Sequence, residues 1–87
     1  MLKTCLVFEE SLLLITEGTE IQDIEWYLEL ALEREDYESC LGLKCALLYA
    51  EKNSIQAIGD LILTSDGDHT QIINELKDEY YLSLIHI

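Results

Sequence analysis

Apolar residues return along this chain at alternating spacings of three and four, and each run is closed by a short polar break. That period belongs to a helix with one buried face, and its persistence from end to end favours an architecture of packed helices. Met1, Cys5, Phe8, Leu12 and Ile15 form the first stripe, and Gly18 stands where a helix would close. The same residues admit a second reading, a hairpin of residues 4–8 and 12–16 about Glu9-Glu10-Ser11, although that turn lacks Gly or Asn. Thr19-Glu-Ile-Gln22 has the form of a capping box and predicts a second helix, with Ile21, Ile24, Leu28, Ala31 and Leu32 on one face and Trp26 and Leu30 widening it. Glu35-Asp36 breaks that helix, and Asp36 is placed to cap a third, with Tyr37, Cys40, Leu41, Lys44, Leu47 and Leu48 on one side. Asn53 or Ser54 caps a fourth run with Ile55, Ile58, Leu61 and Ile62. After the turn Thr64-Ser-Asp-Gly67, Asp68 caps a fifth with Ile72, Ile73, Leu76 and Tyr80. Short breaks join antiparallel neighbours, so the expected fold is all-α: a small bundle of four to five short helices around a central antiparallel hairpin at residues 20–51.

Of the 87 residues 49% are apolar and 26% charged, with four Gly and no Pro. The chain is too apolar for a disordered segment, lacks the imino residues of a collagen-like or Pro-rich one, and has too few cysteines for a disulfide scaffold. Eighteen acidic side chains against five Lys and Arg give a formal charge of −13. Those cations, Lys3, Arg34, Lys44, Lys52 and Lys77, are scattered singly, so no basic patch exists to displace counterions from phosphates. Direct nucleic-acid binding is not expected, and an anionic membrane surface is disfavoured on the same sign argument; a basic protein surface is the partner such a field attracts.

The longest apolar run, residues 45–50, falls far short of the roughly 20 residues of a membrane span. Lys3 ahead of Cys5-Leu-Val-Phe8 begins like a secretory leader, but Glu9 and Glu10 interrupt it. Cys5, Cys40 and Cys45 lack C-x-x-C spacing and are expected as reduced, partly buried thiols. These readings place the chain in the cytoplasm, that of a bacterial host cell. No repeat emerges: a 34-residue shift would map Trp26, Ala31 and Leu32 onto Asp60, Ser65 and Asp66. Leu82-Ser-Leu-Ile-His-Ile87 resembles the in-frame translation of the transposase mosaic-end adapter used to prepare sequencing libraries. The expectation is a single acidic helical domain at residues 1–81 followed by a non-native tail at 82–87, the alternative being a genuine apolar tail that packs as a last turn or strand; on either reading no role rests on His86.

Chemistry has few footholds. Asp66-Gly-Asp68-His-Thr70 sets oxygen ligands at alternate positions, as calcium requires, but the sixth position of that loop is Gln71 rather than Gly and the twelfth is Lys77 rather than Glu. A polar turn with Asp68 as a cap is the expected use. No motif joins the cysteines to His69, and Cys40 and Cys45 stand about 140° apart around a helix, so they cannot share a metal. The chain is therefore expected to be no enzyme and to hold neither metal nor cofactor.

Two features stand out from this background. Glu25, Glu29 and Glu33, with Asp36 following, make an acidic row whose members repel one another, serving either solubility or as a ridge that imitates a phosphate backbone. The second is the hairpin. Ile24, Leu28, Ala31-Leu32, Tyr37-Glu38, Cys40-Leu41, Leu43-Lys44 and Leu47 resemble, in register, the UVR motif of excision-repair subunits and some protease-adaptor proteins. Lys44-Cys45 stands where that family has Arg-Asp, and Leu41 where it has a small residue. The resemblance implies a helical hairpin that packs on a like hairpin and mediates subunit contacts.

The expected function is a non-enzymatic protein–protein interaction module, docking on a partner or a second copy of itself through its helical hairpin, with Trp26, Tyr27 and Tyr37 as anchors. The alternative is a phage-encoded acidic decoy that uses Glu25, Glu29, Glu33 and Asp36 to block a host or defence nucleic-acid-binding protein. Salt separates them, because a decoy loses affinity steeply with ionic strength and apolar docking does not.

Overall fold

The first stripe is helical. In the computed structural model, which describes residues 1–85, Leu2–Thr16 form α1, and its buried side is Thr4, Cys5, Phe8, Ser11, Leu12 and Ile15. Four of the five residues of the expected stripe are therefore core, while Met1 stays exposed. Ser11 satisfies its buried hydroxyl locally by donating to the Val7 carbonyl at 2.7 Å. The helix closes in a Schellman motif: Thr19 N–H bonds the Leu14 carbonyl at 2.9 Å, Gly18 N–H bonds that of Ile15 at 3.1 Å, and Gly18 takes φ +100°.

That closure displaces the expected capping box. Thr19 spends its N–H on α1, so α2 begins one residue later, as Ile21–Glu33 with Glu20 at the N-cap and no side-chain cap bond. The far end of α2 repeats the Schellman pattern: Asp36 N–H reaches the Ala31 carbonyl at 3.0 Å and Glu35 N–H that of Leu32 at 3.1 Å. Here the left-handed position is filled by Glu35, at φ +56°, rather than by glycine. A side chain in that conformation costs roughly 1–2 kcal/mol. Replacing Glu35 with Gly is expected to stabilise the fold by about 0.5–1 kcal/mol, the strain relieved less the entropy glycine adds to the unfolded chain. A rise in thermal midpoint of a few degrees by circular dichroism would register it; a fall would show that the turn is unstrained.

Asp36 is the N-cap of α3 (Tyr37–Lys52), as expected from its position after the break. Its carboxylate accepts from Ser39 N–H at 3.3 Å and from the Ser39 hydroxyl at 2.7 Å. It also accepts from Lys3 Nζ at 2.8 Å, which ties the start of α1 to the hairpin turn. Ser54 caps α4 (Ile55–Thr64), accepting from Ala57 N–H at 3.1 Å. The last helix, α5 (Thr70–Ile85), starts one residue after the expected position: His69 lends the first carbonyl, to Ile73, and Asp68 accepts from the Thr70 N–H and hydroxyl at 3.1 and 2.6 Å. α5 runs through residues 82–85 of the segment read as a tail, and His86 and Ile87 lie outside the described residues. Among the described residues the elements are these five helices.

The molecule is an all-α bundle, and α3 is the helix the others surround: it packs on α1, α2 and α5, while α4 lies on α1. This placement corrects the single stripe expected for α3. Gly42 faces α1, where an added Cβ would stand 2.8 Å from the Thr4 carbonyl oxygen and 2.9 Å from Val7 Cβ. Cys45 faces α5, its thiol 4.0 Å from the Ile73 carbonyl. Lys44, Leu47 and Leu48 face α2. A helix with neighbours on three sides has no one apolar face, and its buried residues, Cys40, Gly42, Leu43, Cys45 and Ala46, wind around it. Tyr37, grouped by its spacing with Cys40 and Leu41 and expected as a docking anchor, is 66% exposed at the first turn. Trp26 likewise does not widen the α2 core face, whose buried members are Ile24 and Ala31. The core they join contains Phe8, Leu12, Ile58 and Ile73, so every helix contributes to it.

Candidate functional site

A groove of about 400 Å³ runs between α2 and α3. Its apolar lining is Ile21, Leu28 and Leu32 from α2 with Leu47, Leu48 and the smaller Ala50 from α3. Leu28, Leu47 and Leu48 are half-buried against the core, whereas Ile21 and Leu32 are 43% and 47% exposed. The sequence places these residues correctly but reads Ile21 and Leu32 as core, since a 3.6 period shows that a face is apolar and not what covers it. α2 packs chiefly on α3, so the flank of its stripe beyond that contact is left open.

Acids flank the groove. Glu25 and Glu29 line it from α2 and Glu51 from α3, against Lys44 as the cation of the lining. Successive i+4 steps rotate about 40° around a helix, which carries Glu33 out of the groove. Among the described residues no cation stands within ion-pair distance of Glu25, Glu29 or Glu33. Asp36 belongs to a different environment. Its hydrogen bonds from Lys3 and Ser39 hold its carboxyl well below the usual range, at about 2, and the same bond raises the Lys3 ammonium. Because the folded value lies under the unfolded 3.8, the stabilisation is complete above about pH 5 and is lost as the pH falls from there toward 2. Asp36→Asn should therefore narrow its stability deficit against the parent over that interval, as measured by urea unfolding at successive pH values; a deficit that stays constant would contradict the pairing.

The three expected aromatic anchors do not assemble into one patch. Trp26 is 57% exposed and lies 5.7 Å, centroid to centroid, from Tyr27, on the side of α2 turned away from the groove. Tyr27 borders a smaller hollow with Val7, Arg34 and Asp36. Tyr37 makes no ring contact with either among the described residues.

No family model, curated protein or solved structure matches this chain. The groove and the chemistry around it therefore carry the functional argument.

One polar cluster escapes sequence reasoning. His69 is wholly buried beside Phe8, with Nε2 3.2 Å from Glu9 Oε1 and 3.5 Å from the Ser65 hydroxyl. The three lie 4 and 60 residues apart in the chain, a separation no local motif reveals. Serine, histidine and acid are present, yet both oxygens meet the same ring nitrogen, whereas a nucleophile relay sets hydroxyl and carboxylate on opposite nitrogens. The cluster joins the α4–α5 turn to α1. All three cysteines are free and buried, and burial pushes Cys45 up to about 12 and Cys40 in the same direction, away from the reactive thiolate. Cys45 is expected to resist a thiol-specific disulfide reagent at pH 8 until denaturant is added; stoichiometric labelling of the native protein at that position would contradict its burial. Among the described residues, no group of three or more His, Cys, Asp and Glu is placed to hold a metal, and no helix is long and apolar enough to cross a membrane.

Proposed function

We propose that this chain is a non-enzymatic interaction module that docks a protein partner in the groove between α2 and α3. The observation that carries the reading is the groove itself: five large aliphatic side chains, two of them well exposed, lie between exposed glutamates. An apolar strip with a charged rim is the composition of a specific docking surface, since the strip supplies desolvation and the rim orients the partner. The likeness of residues 24–47 to the UVR hairpin supports the same use of α2 and α3, although Cys45, in place of that family's Asp, is turned into the core here. Trp26, Tyr27 and Tyr37 would serve a second contact on the outer side of the hairpin.

A ¹⁵N-labelled sample titrated with designed amphipathic helices of differing polar face tests the reading. Amide shifts centred on Ile21, Leu28, Leu32, Leu47 and Leu48 with at least one helix are expected. A folded protein whose groove responds to none of them overturns it.

The unpaired row Glu25, Glu29 and Glu33 supports a second reading, the acidic decoy for a nucleic-acid-binding protein. Asp36 adds little to such a ridge, because Lys3 and Ser39 already occupy its carboxylate. A decoy is expected to lose most of its affinity between low and physiological salt, whereas docking through the aliphatic strip is expected to survive.

A further inference from the structure

We infer that the occupant of the α2–α3 groove is a cationic amphipathic helix of about three turns, seated on the aliphatic strip with its Lys or Arg side chains against Glu25, Glu29 and Glu51. The inference rests on the docking reading and gives its partner a chemistry. From Ile21 to Leu32 the groove follows α2 for roughly 16 Å at 1.5 Å per residue, which matches three turns of a guest helix. Two helices side by side present a trough between their ridges, and a third helix fills it in the way neighbouring helices pack throughout a bundle. Leu28, Leu47 and Leu48 form the deeper, half-buried part of the strip, while Ile21 and Leu32 stand open at its two ends to meet a guest's apolar residues.

Charge selects among apolar helices. Glu25 and Glu29 stand one turn apart on one flank, about 6 Å along the axis, and Glu51 lies on the other. Three carboxylates against Lys44 leave the site anionic within a molecule already at −13. None of the three has an ion-pair partner among the described residues, so a guest cation meets them without breaking an existing bridge. An anionic helix would meet repulsion on both flanks, and a neutral one would leave the rim unmatched.

The test uses three synthetic helices of about 14 residues with one Leu face and polar positions all Lys, all Gln or all Glu, titrated into the full chain at low and high salt. The Lys helix is expected to bind the groove about fivefold more tightly than the Gln helix at low salt, as three exposed ion pairs allow, with the advantage fading at high salt. In Glu25→Lys/Glu29→Lys the preference should pass to the Glu helix. In Glu10→Lys/Asp60→Lys, which changes net charge equally from exposed positions on α1 and α4, it should stay with the Lys helix. Equal binding of all three helices in the groove overturns the cationic guest and leaves docking intact; binding by none overturns both. A preference that follows net charge in both variants, or groove shifts that track protein concentration with no helix added, overturns it too, the latter in favour of a second copy of the chain.

Discussion

Phe8→Ala is expected to be the most destabilising single truncation in the core and to lower the thermal midpoint of unfolding by about 20 °C. Phe8 is wholly buried at the middle of α1, edge-on to Tyr49 of α3 with ring centroids 6.1 Å apart, and 5.3 Å from the His69 ring at the α4–α5 turn. One side chain therefore fastens three parts of the bundle. Emptying a site of this kind typically removes 3–5 kcal/mol, the lost transfer energy plus the cavity left behind. A domain of this length holds only about 4–13 kcal/mol in total. At roughly 4–8 °C per kcal/mol for a domain of this size, the thermal midpoint should fall by about 20 °C. Circular dichroism at 222 nm reads this directly, and Phe8→Leu should recover most of the loss. A fall of only a few degrees would mean that α1 lies outside the core.

The second large effect is a change of sign between two glycines. Gly→Ala within a helix ordinarily gains up to about 1 kcal/mol. In α4 an added Cβ at Gly59 meets nothing within 4 Å, so Gly59→Ala should show that gain. In α3 the same methyl at Gly42 would press on the Thr4 carbonyl at 2.8 Å and on Val7 Cβ at 2.9 Å. A main-chain carbonyl within a helix cannot swing aside, so α1 must move from α3 along their whole contact. Gly42→Ala should lose about 1–3 kcal/mol, and Gly42→Leu more. Denaturant midpoints that move in the same direction for Gly42→Ala and Gly59→Ala would contradict the close crossing of α1 and α3.

The architecture was legible because it depends on a period and on breaks. Phe8, Leu12, Ile24, Ile58 and Ile73 are all core, each on the stripe its spacing marks. Asp36 and Ser54 cap the helices they precede, since their carboxylate and hydroxyl satisfy donors that the helix leaves orphaned. Thr19 misleads for a local reason: its N–H is consumed by the Leu14 carbonyl in closing α1, and a capping box needs a residue free to serve the next helix. Periodicity fails on α3 because it assumes a helix with one dry side. Gly42, Cys45 and Lys44 each face a different neighbour, and residue type alone does not say which.

The groove was half visible. Lys44, Leu47 and Leu48 fall on one side of α3 by spacing, and Ile21, Leu28 and Leu32 on one side of α2, so its components were on hand. That the two sides diverge enough to leave an open trough depends on the position of α2 on α3, which no local signal carries. The acidic row, one feature by its spacing, divides into three: Glu25 and Glu29 at the groove, Glu33 turned outward, and Asp36 engaged with Lys3. The pairing of buried His69 with half-buried Glu9 was invisible for the plainest reason, its separation of 60 residues.

The most direct test of a docking role for the α2–α3 groove is an isotope-filtered NOE spectrum of the methyl-labelled chain with an unlabelled cationic amphipathic helix. Contacts from the helix to the methyls of Leu28, Leu32, Leu47 and Leu48, and none to the exposed Leu2, Leu6 or Leu63, are the predicted result. Contacts to Leu2, Leu6 or Leu63 with the groove methyls silent would contradict it.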